Sequence, residues 1–125
     1  CIRDRAELGL KPWQYDVLSV LRRQGRPYTL TASELAAESL LTPGAMTTRI
    51  DHLELEGLVR REHDPDDGRG VLVSLTRRGV SVINRAVDAR IAAAERAVGG
   101  LNGRQLHQAE TLLRALLNHA EKPQR

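Results

Sequence analysis

Between Thr31 and Thr76 two short helix signals lie about three residues apart and a hairpin signal follows at once, an order that few folds accommodate. Thr31 and Glu34 have the spacing of a capping box, in which each side chain accepts from the other residue's amide and two N–H groups left unpaired at a helix start are satisfied. The first helix is expected from Ala32 to about Ser39. Thr42 is placed as the N-cap of a second helix, Pro43 takes the first position, where a missing N–H costs nothing, and Gly57 stands where a left-handed residue closes a helix. This second helix is expected over 43–56, with Leu40 to Thr42 as the turn. From Leu58 to Glu62 and from Val71 to Leu75 the pattern becomes β-like, with a cluster of turn formers between. Two helices across a tight turn and a hairpin at 59–75 make a winged helix-turn-helix, which reads DNA with its second helix in the major groove.

On that second helix Met46, Ile50 and Leu53 recur at spacings of four and three, one apolar stripe for the body of the domain. At about 100° per residue Gly44, Thr48, Asp51 and His52 lie away from the stripe, with Thr47 and Arg49 on its flanks. Thr42, Pro43, Gly44, Thr47, Thr48, Arg49 and His52 are therefore the candidate DNA contacts. Small and hydroxyl side chains let a helix N-terminus, with its free amides and positive dipole end, approach phosphate. Arg49 is suited to guanine and His52 to phosphate or a base. Periodicity alone leaves Thr47, Thr48 and His52 equally open to being ordinary solvated positions.

The hairpin tip, DPDDGRG, holds Pro65, Asp67, Gly68 and Gly70, residues that fix φ, bond their own backbone or take positive φ in turns. Arg69 is expected to project from it toward a narrow minor groove, with Asp67 gripping its guanidinium in a bidentate pair. A solvated turn carrying an incidental arginine is the plainer alternative. A calcium loop fails on spacing, because counting from Asp64 puts Leu75 where a bidentate glutamate is required.

Upstream, Pro12 to Arg23 reads as a helix with Trp13, Val17 and Leu21 on one face, closed by Gly25. Trp13 is expected in the core, and Tyr28 to Leu30 as a short strand beside the wing. Downstream, a long helix runs from Thr76 to about Val98 and stops at Gly99 and Gly100. A last helix starts at Asn102 and reaches about Glu121, with Leu106, Ala109, Leu113 and Leu116 on one stripe and Leu112 and Leu117 widening it. That is more apolar surface than one neighbouring helix covers, so a two-fold dimer is expected, unless both helices complete the monomer's own core. Dimerisation would set two recognition helices about one DNA turn, roughly 34 Å, apart. The fold class is thus mainly α with a small antiparallel β wing. Residues 1–10 are read as the remnant of an N-terminal dimerisation helix, 11–76 as the reader and 77–125 as dimerisation helices.

Composition adds limits. A chain of 125 residues is one domain's worth, able to bury roughly two thirds of its unfolded surface. Phe is absent, so the core must come from Leu, Val, Ile and Ala. A net charge of +3 and a pI near 9.6 are compatible with nucleic acid without demanding it. No apolar run reaches a membrane span of about eighteen residues and no leader pattern opens the chain, so a cytoplasmic protein with no membrane partner is expected. Absence of an initiator Met suggests that this sequence starts inside a longer one. Cys1 excludes an internal disulfide framework, but beside Arg3 and Arg5 it has the setting of an exposed redox sensor, a second functional reading. His107 and Glu110 share a helix face but are too few for a metal site, and no metal or cofactor is expected. No enzyme is expected either: GRG and PGA are not phosphate loops, and the clustered acids sit in a turn. A winged-helix module that binds proteins without touching DNA remains the rival from another class.

The chain resembles the MarR family of bacterial winged-helix regulators over nearly its whole length. LGLKPWQYDVLSVLRR, LTASELAAESLLTPGAMTTRIDHLELEGLVRR and DPDDGRGVLVSLTRRG carry the likeness. The last resembles the family's wing signature, here Asp64, Asp67, Arg69, Leu75, Thr76 and Gly79. The resemblance implies that the helix from Pro43 to Glu56 enters the major groove and Arg69, oriented by Asp67, the minor groove. It also implies a homodimeric regulator, commonly a repressor of a palindromic operator, released when a small aromatic anion binds between the dimer helices and the reader. Trp13, Tyr15 and Tyr28 are the aromatic candidates for that pocket. Two positions depart from the family pattern: Gly68 stands where a second basic residue is common, and Thr48 where arginine is. Because only Cys1 to Glu7 precede Leu8, either the dimer rests mainly on the C-terminal helices or the first helix lies outside this sequence.

Overall fold

The computed structural model describes residues 9–120. Cys1, the segment preceding Leu10 and the expected helix end at Glu121 lie outside or at the margin of the described residues, and the redox reading of Cys1 with them. The chain divides into two compact units, with the boundary between Arg90 and Ile91. The described residues form helices α1 (Pro12–Arg23), α2 (Ala32–Glu38), α3 (Pro43–Leu55), α4 (Arg77–Val98) and α5 (Gly103–Ala120), and strands β1 (Thr29–Thr31), β2 (Val59–His63) and β3 (Val71–Leu75). The mainly α class with a small antiparallel wing is what the chain adopts.

In the first unit the core is aliphatic. Val17, Leu18 and Leu21 of α1, Leu35 of α2, Met46, Ile50 and Leu53 of α3, Val59 and Val73 of the sheet and Ile83 of α4 are essentially inaccessible to solvent. Burying each such side chain contributes about 1.5–3 kcal/mol. Trp13 is not among them. The buried face of α1 runs through Gln14, Tyr15, Val17, Leu18 and Leu21, which rotates Trp13 to its half-buried edge. Gln14 fills the inner position because its amide is fully used: it donates to both carboxylate oxygens of Glu56, at 2.9 and 3.0 Å, and accepts from the Lys11 amide at 2.9 Å.

The expected capping box holds α2, with the Glu34 amide 3.1 Å from Thr31 Oγ1 and the Thr31 amide 2.9 Å from Glu34. The hydrogen bond from the Thr31 backbone, then that from its hydroxyl, keeps the Glu34 carboxyl below the usual glutamate range. At the other end α2 closes through Leu41 N to Ala36 O, 2.9 Å, and Leu40 N to Ala37 O, 3.1 Å, with Leu40 at φ +54°. A leucine in this left-handed position costs about 1 kcal/mol, and its side chain is 93% exposed. Helix α3 ends in the same motif built on Gly57, at φ +71°.

Strand β1 covers Thr29–Thr31, one residue later than expected, because Tyr28 takes φ +61° and cannot extend it. It pairs antiparallel with β3, Thr29 opposite Ser74, and β3 also pairs with β2, Val59 opposite Leu75, giving the order β1-β3-β2. The Thr29 and Ser74 hydroxyls bond across the pair at 2.7 Å.

One corner joins α3, the wing and α4. The Thr76 amide donates to Leu58 O at 3.1 Å, its hydroxyl donates to Gly57 O at 2.6 Å, and the same hydroxyl oxygen accepts from the Gly79 amide at 3.0 Å. Gly79 sits so close that a Cβ there would lie 2.0 Å from Leu58 O. At its far end α4 stops at Val98 as expected, but neither Gly99 nor Gly100 is left-handed; Leu101 N closes the turn on Val98 O at 2.9 Å.

The second unit contains the end of α4 and α5, which begins with reciprocal 2.9 Å bonds between Asn102 and Gln105. No residue of α5 is buried. Its leucines therefore do not complete a monomer core.

Replacing Gly79 by Ala is expected to cost about 2–3 kcal/mol, since the obstacle is backbone. Gly103→Ala, in open space at the start of α5, is expected to stay within about 0.5 kcal/mol of the parent. Urea unfolding of both variants checks the difference.

Candidate nucleic-acid interface

The capping pattern of Thr42 fixes where α3 begins and hence which residues its first turns display. Thr42 Oγ1 accepts from the Ala45 amide at 3.3 Å, and Met46 is turned inward with Ile50 and Leu53. Thr42, Pro43, Gly44, Thr47 and Thr48 are exposed together on the remaining surface. The hydroxyls of Thr47 and Thr48 donate to Pro43 O at 2.9 Å and Gly44 O at 3.3 Å. Their protons are committed to the helix, so in this arrangement they offer lone pairs, which suit donor groups on base edges.

Arg49 is half-buried, its guanidinium 5.4 Å above the Trp13 ring, and exposed His52 meets the same ring edge-on at 6.3 Å. Trp13 thus braces α3 from α1. Arg49 is engaged in this contact and is not displayed with the threonines.

The C-terminal half of α3 is fastened to the wing by a residue that sequence reasoning overlooked. Arg61 of β2 bonds the carboxylate of Asp51 closely and Glu54 at 3.1 Å, while its amide donates to Glu54 at 3.0 Å. The Asp51 hydrogen bond first, then that of Glu54, raises the Arg61 guanidinium above its ordinary range. Acids three apart on a helix facing an arginine of the following strand were the available signal. On the other strand face Arg60 pairs with Glu62 at 3.2 Å in the open.

At the wing tip Asp64 N donates to Gly70 O at 3.0 Å and Gly70 N to Asp67 O at 2.8 Å. Asp67 does not grip the Arg69 guanidinium: its carboxylate accepts from the Arg69 backbone amide at 3.1 Å, an Asx turn that uses the acid locally. Arg69 is exposed. Gly70 is needed for space and not for φ, because a Cβ there would meet that of Asp64 at 2.9 Å.

The three aromatic candidates occupy different settings. Trp13 lies against α3; Tyr15 is buried with the Arg90 guanidinium 5.2 Å from its ring; Tyr28 lines a groove of about 510 Å³ at the root of the wing, with Arg26, Arg60, Leu75, Arg77 and Val80. In the second unit Val98, Leu106, Ala109, Leu113 and Leu117 line an apolar groove of about 440 Å³, and Leu112 and Leu116 are exposed beside it.

The MarR family is matched over residues 8–70. The HTH-type transcriptional regulator PecS of Dickeya dadantii is 32% identical over 109 residues, which are 87% of this chain and 63% of that protein. The chain therefore spans less than two thirds of that relative's length. The crystal structure of YusO from Bacillus subtilis aligns with a TM-score of 0.82 at 28% identity, over 94% of this chain and 81% of that one. A mutant of MarR from E. coli, complexed with operator DNA, aligns with a TM-score of 0.69 at 27% identity, over 90% of this chain and 79% of that one.

Arg61→Met leaves Asp51 and Glu54 facing each other without their cation. Because the group is partly solvated, the expected loss is about 1 kcal/mol, read from the urea midpoint and diminished in high salt.

Proposed function

The chain belongs to the MarR family of transcriptional regulators, and we propose that it works as a homodimer that binds duplex DNA at a palindromic operator, represses transcription there and lets go when a small organic effector binds. The observation that carries this reading is the pairing of two exposed features on one unit: the first two turns of α3, from Thr42 to Thr48, and Arg69 at the end of the wing. A helix start with free amides suits the major groove and an unpaired arginine suits the minor groove. The operator complex of the similar MarR protein supports the choice of DNA as partner. Thr42, Pro43, Gly44, Thr47 and Thr48 form the reading surface, with Arg49 and His52 at its flank and Asp67 shaping the turn that presents Arg69.

Leu106, Ala109, Leu112, Leu113, Leu116 and Leu117 form the dimer surface. An apolar face this exposed on a helix with no buried residue needs a cover, and a second copy is the commonest one. Residues 11–76 are the reader and 77–125 the dimerisation region. Among the described residues no helix is long and apolar enough to cross a membrane, and we place the protein in the cytoplasm with its target.

Random duplex is the first test. A dimer that neutralises about six to ten phosphates loses roughly 10³ to 10⁵ in affinity between about 50 and 200 mM salt, whereas an interaction module without DNA affinity binds weakly throughout. Arg69→Ala is expected to weaken binding to most sequences and to flatten the salt slope by about one; an unchanged slope removes the wing. Site selection from a random library then reveals the palindrome and its spacing.

Leu113→Glu combined with Leu117→Glu is expected to convert the dimer to a monomer in sedimentation equilibrium. Duplex affinity should fall on the order of 10² as the second reader is lost. A parent protein that sediments as a monomer refutes this part of the reading.

A further inference from the structure

We propose that Trp13 is a positioning residue for duplex recognition: its ring holds the guanidinium of Arg49 away from the threonine-lined start of α3, so that this helix meets base edges without a mobile cation. The proposal rests on the reading surface assigned above and says what keeps that surface free of side-chain charge. Arg49 is the only arginine or lysine in α3. Its side chain is half-buried, its guanidinium lies 5.4 Å from the centroid of the Trp13 ring, and among the described residues it is paired with no carboxylate. Asp16, Arg23 and Glu38 share a groove of about 310 Å³ with Arg49, yet neither acid comes within ion-pair distance of it, so the ring is its partner. Indole is the best aromatic acceptor of a cation, within about 6 Å of its centroid, and guanidinium, planar and weakly hydrated, stacks more readily than an ammonium.

The ring is itself fixed by the residue beside it. Buried Gln14 donates to both carboxylate oxygens of Glu56, the C-cap of α3, at 2.9 and 3.0 Å, and accepts from the Lys11 amide at 2.9 Å. The start of α1 is thereby bonded to the end of α3, which holds Trp13 against that helix. Arg49 and His52 stand three apart on α3 and so share a flank: one lies over the ring face, and the other meets the ring edge at 6.3 Å and an interplanar angle of 65°. Turning the ring away would give up both contacts. With Arg49 parked there, the first two turns of α3 offer hydroxyl oxygens, a glycine and helix amides, and the side-chain charge of the reading surface is left to Arg69 of the wing. A released arginine beside the base edges would add a phosphate contact available on any sequence, raising affinity for random duplex and lowering the preference for a specific site.

The test compares Trp13→Leu, which keeps apolar bulk and removes the π face, with Arg49→Gln and with the double variant, on random duplex and on a duplex chosen by site selection. Trp13→Leu is expected to bind random duplex about three- to tenfold more tightly at about 100 mM salt, with a salt slope steeper by about one and a smaller preference for the selected site. Arg49→Gln alone should change random-duplex affinity by less than about twofold and leave the slope where it was, and the double variant should return to the parent's slope. Trp13→Phe, which restores a ring, should lie between Trp13→Leu and the parent. A variant that had merely loosened the domain would bind more weakly and would not gain slope. A second readout needs no change at Trp13: the side-chain protons of Arg49 should be shifted upfield by the indole ring current in the free parent and should stay so when the selected duplex is added. Should Trp13→Leu fail to fold, Arg49→Gln and this shift decide. An unchanged slope in Trp13→Leu, a slope lowered by about one in Arg49→Gln, or an upfield shift that is absent or vanishes on duplex binding each overturns the proposal and leaves DNA binding in place. A parent chain that binds no duplex in dilute salt overturns the reading beneath it, and the proposal with it.

Discussion

The contact between Gly79 and the Leu58 carbonyl determines how α3 and the wing are mounted on α4. It lets the start of α4 sit against the turn that ends α3, close enough for Thr76 to bond both Gly57 and Leu58. Three elements meet there: the end of α3, the root of the wing and the first turn of α4. The Leu-Thr-x-x-Gly spacing of Leu75, Thr76 and Gly79 follows from this joint. Leu75 closes the strand against Val59, Thr76 caps α4 while holding the corner, and Gly79 provides the absent side chain that the approach requires. Its φ is ordinary, so glycine is required here by proximity and not by backbone freedom.

Helix α3 is divided along its length as well as around its circumference. One face, through Met46, Ile50 and Leu53, belongs to the core. The C-terminal half is then occupied by the protein itself: Asp51 and Glu54 by Arg61, and Glu56 by Gln14. Those pairings answer an electrostatic difficulty. Were α3 to approach phosphate as proposed, its carboxylates would repel it, and a cation placed between two of them reduces the local negative charge without adding to the free positive charge. The modest net charge of the chain is thus a poor guide, because what phosphate meets depends on which cations remain uncommitted.

What could be read from the sequence was what is decided within a turn of helix. Capping at Thr31, Thr42 and Asn102, the stripe of α3 and the glycine ends of α1 and α3 depend on neighbours three or four residues away, and each lies where the residues imply. What could not be read depends on distant partners or on residues that break local preference. Leu40 falls in the turn that the start of α3 at Thr42 implies, but its left-handed conformation, in a position that normally takes glycine, is not marked by its identity. Tyr28 enters left-handed space and shifts β1 by one residue. Trp13 looks like core by periodicity, but Gln14 takes the inner position because Glu56, forty-two residues on, satisfies its amide. The clamp at Arg61 and the groove beneath Tyr28 likewise appear only after β1, β2 and α4 are brought together. The threonines of α3 are exposed as expected, yet the commitment of their protons to Pro43 and Gly44 depends on side-chain rotamers that residue identity does not specify.

The use of Asp67 changes the energetics of the wing. Had the carboxylate gripped the guanidinium of Arg69, entry into a minor groove would exchange one ion pair for another, with a small net gain. Instead the acid is spent on the Arg69 amide and shapes the turn, so the exposed guanidinium is left to solvent. On binding it loses side-chain entropy of up to about 2 kcal/mol, but breaks no bond within the protein. The gain must then come from the potential of the groove and from released counterions, both of which weaken as salt rises. If the wing enters DNA as proposed, it contributes affinity that depends on ionic strength and on groove width, and the proposed distinction among base edges falls to the threonine-lined start of α3.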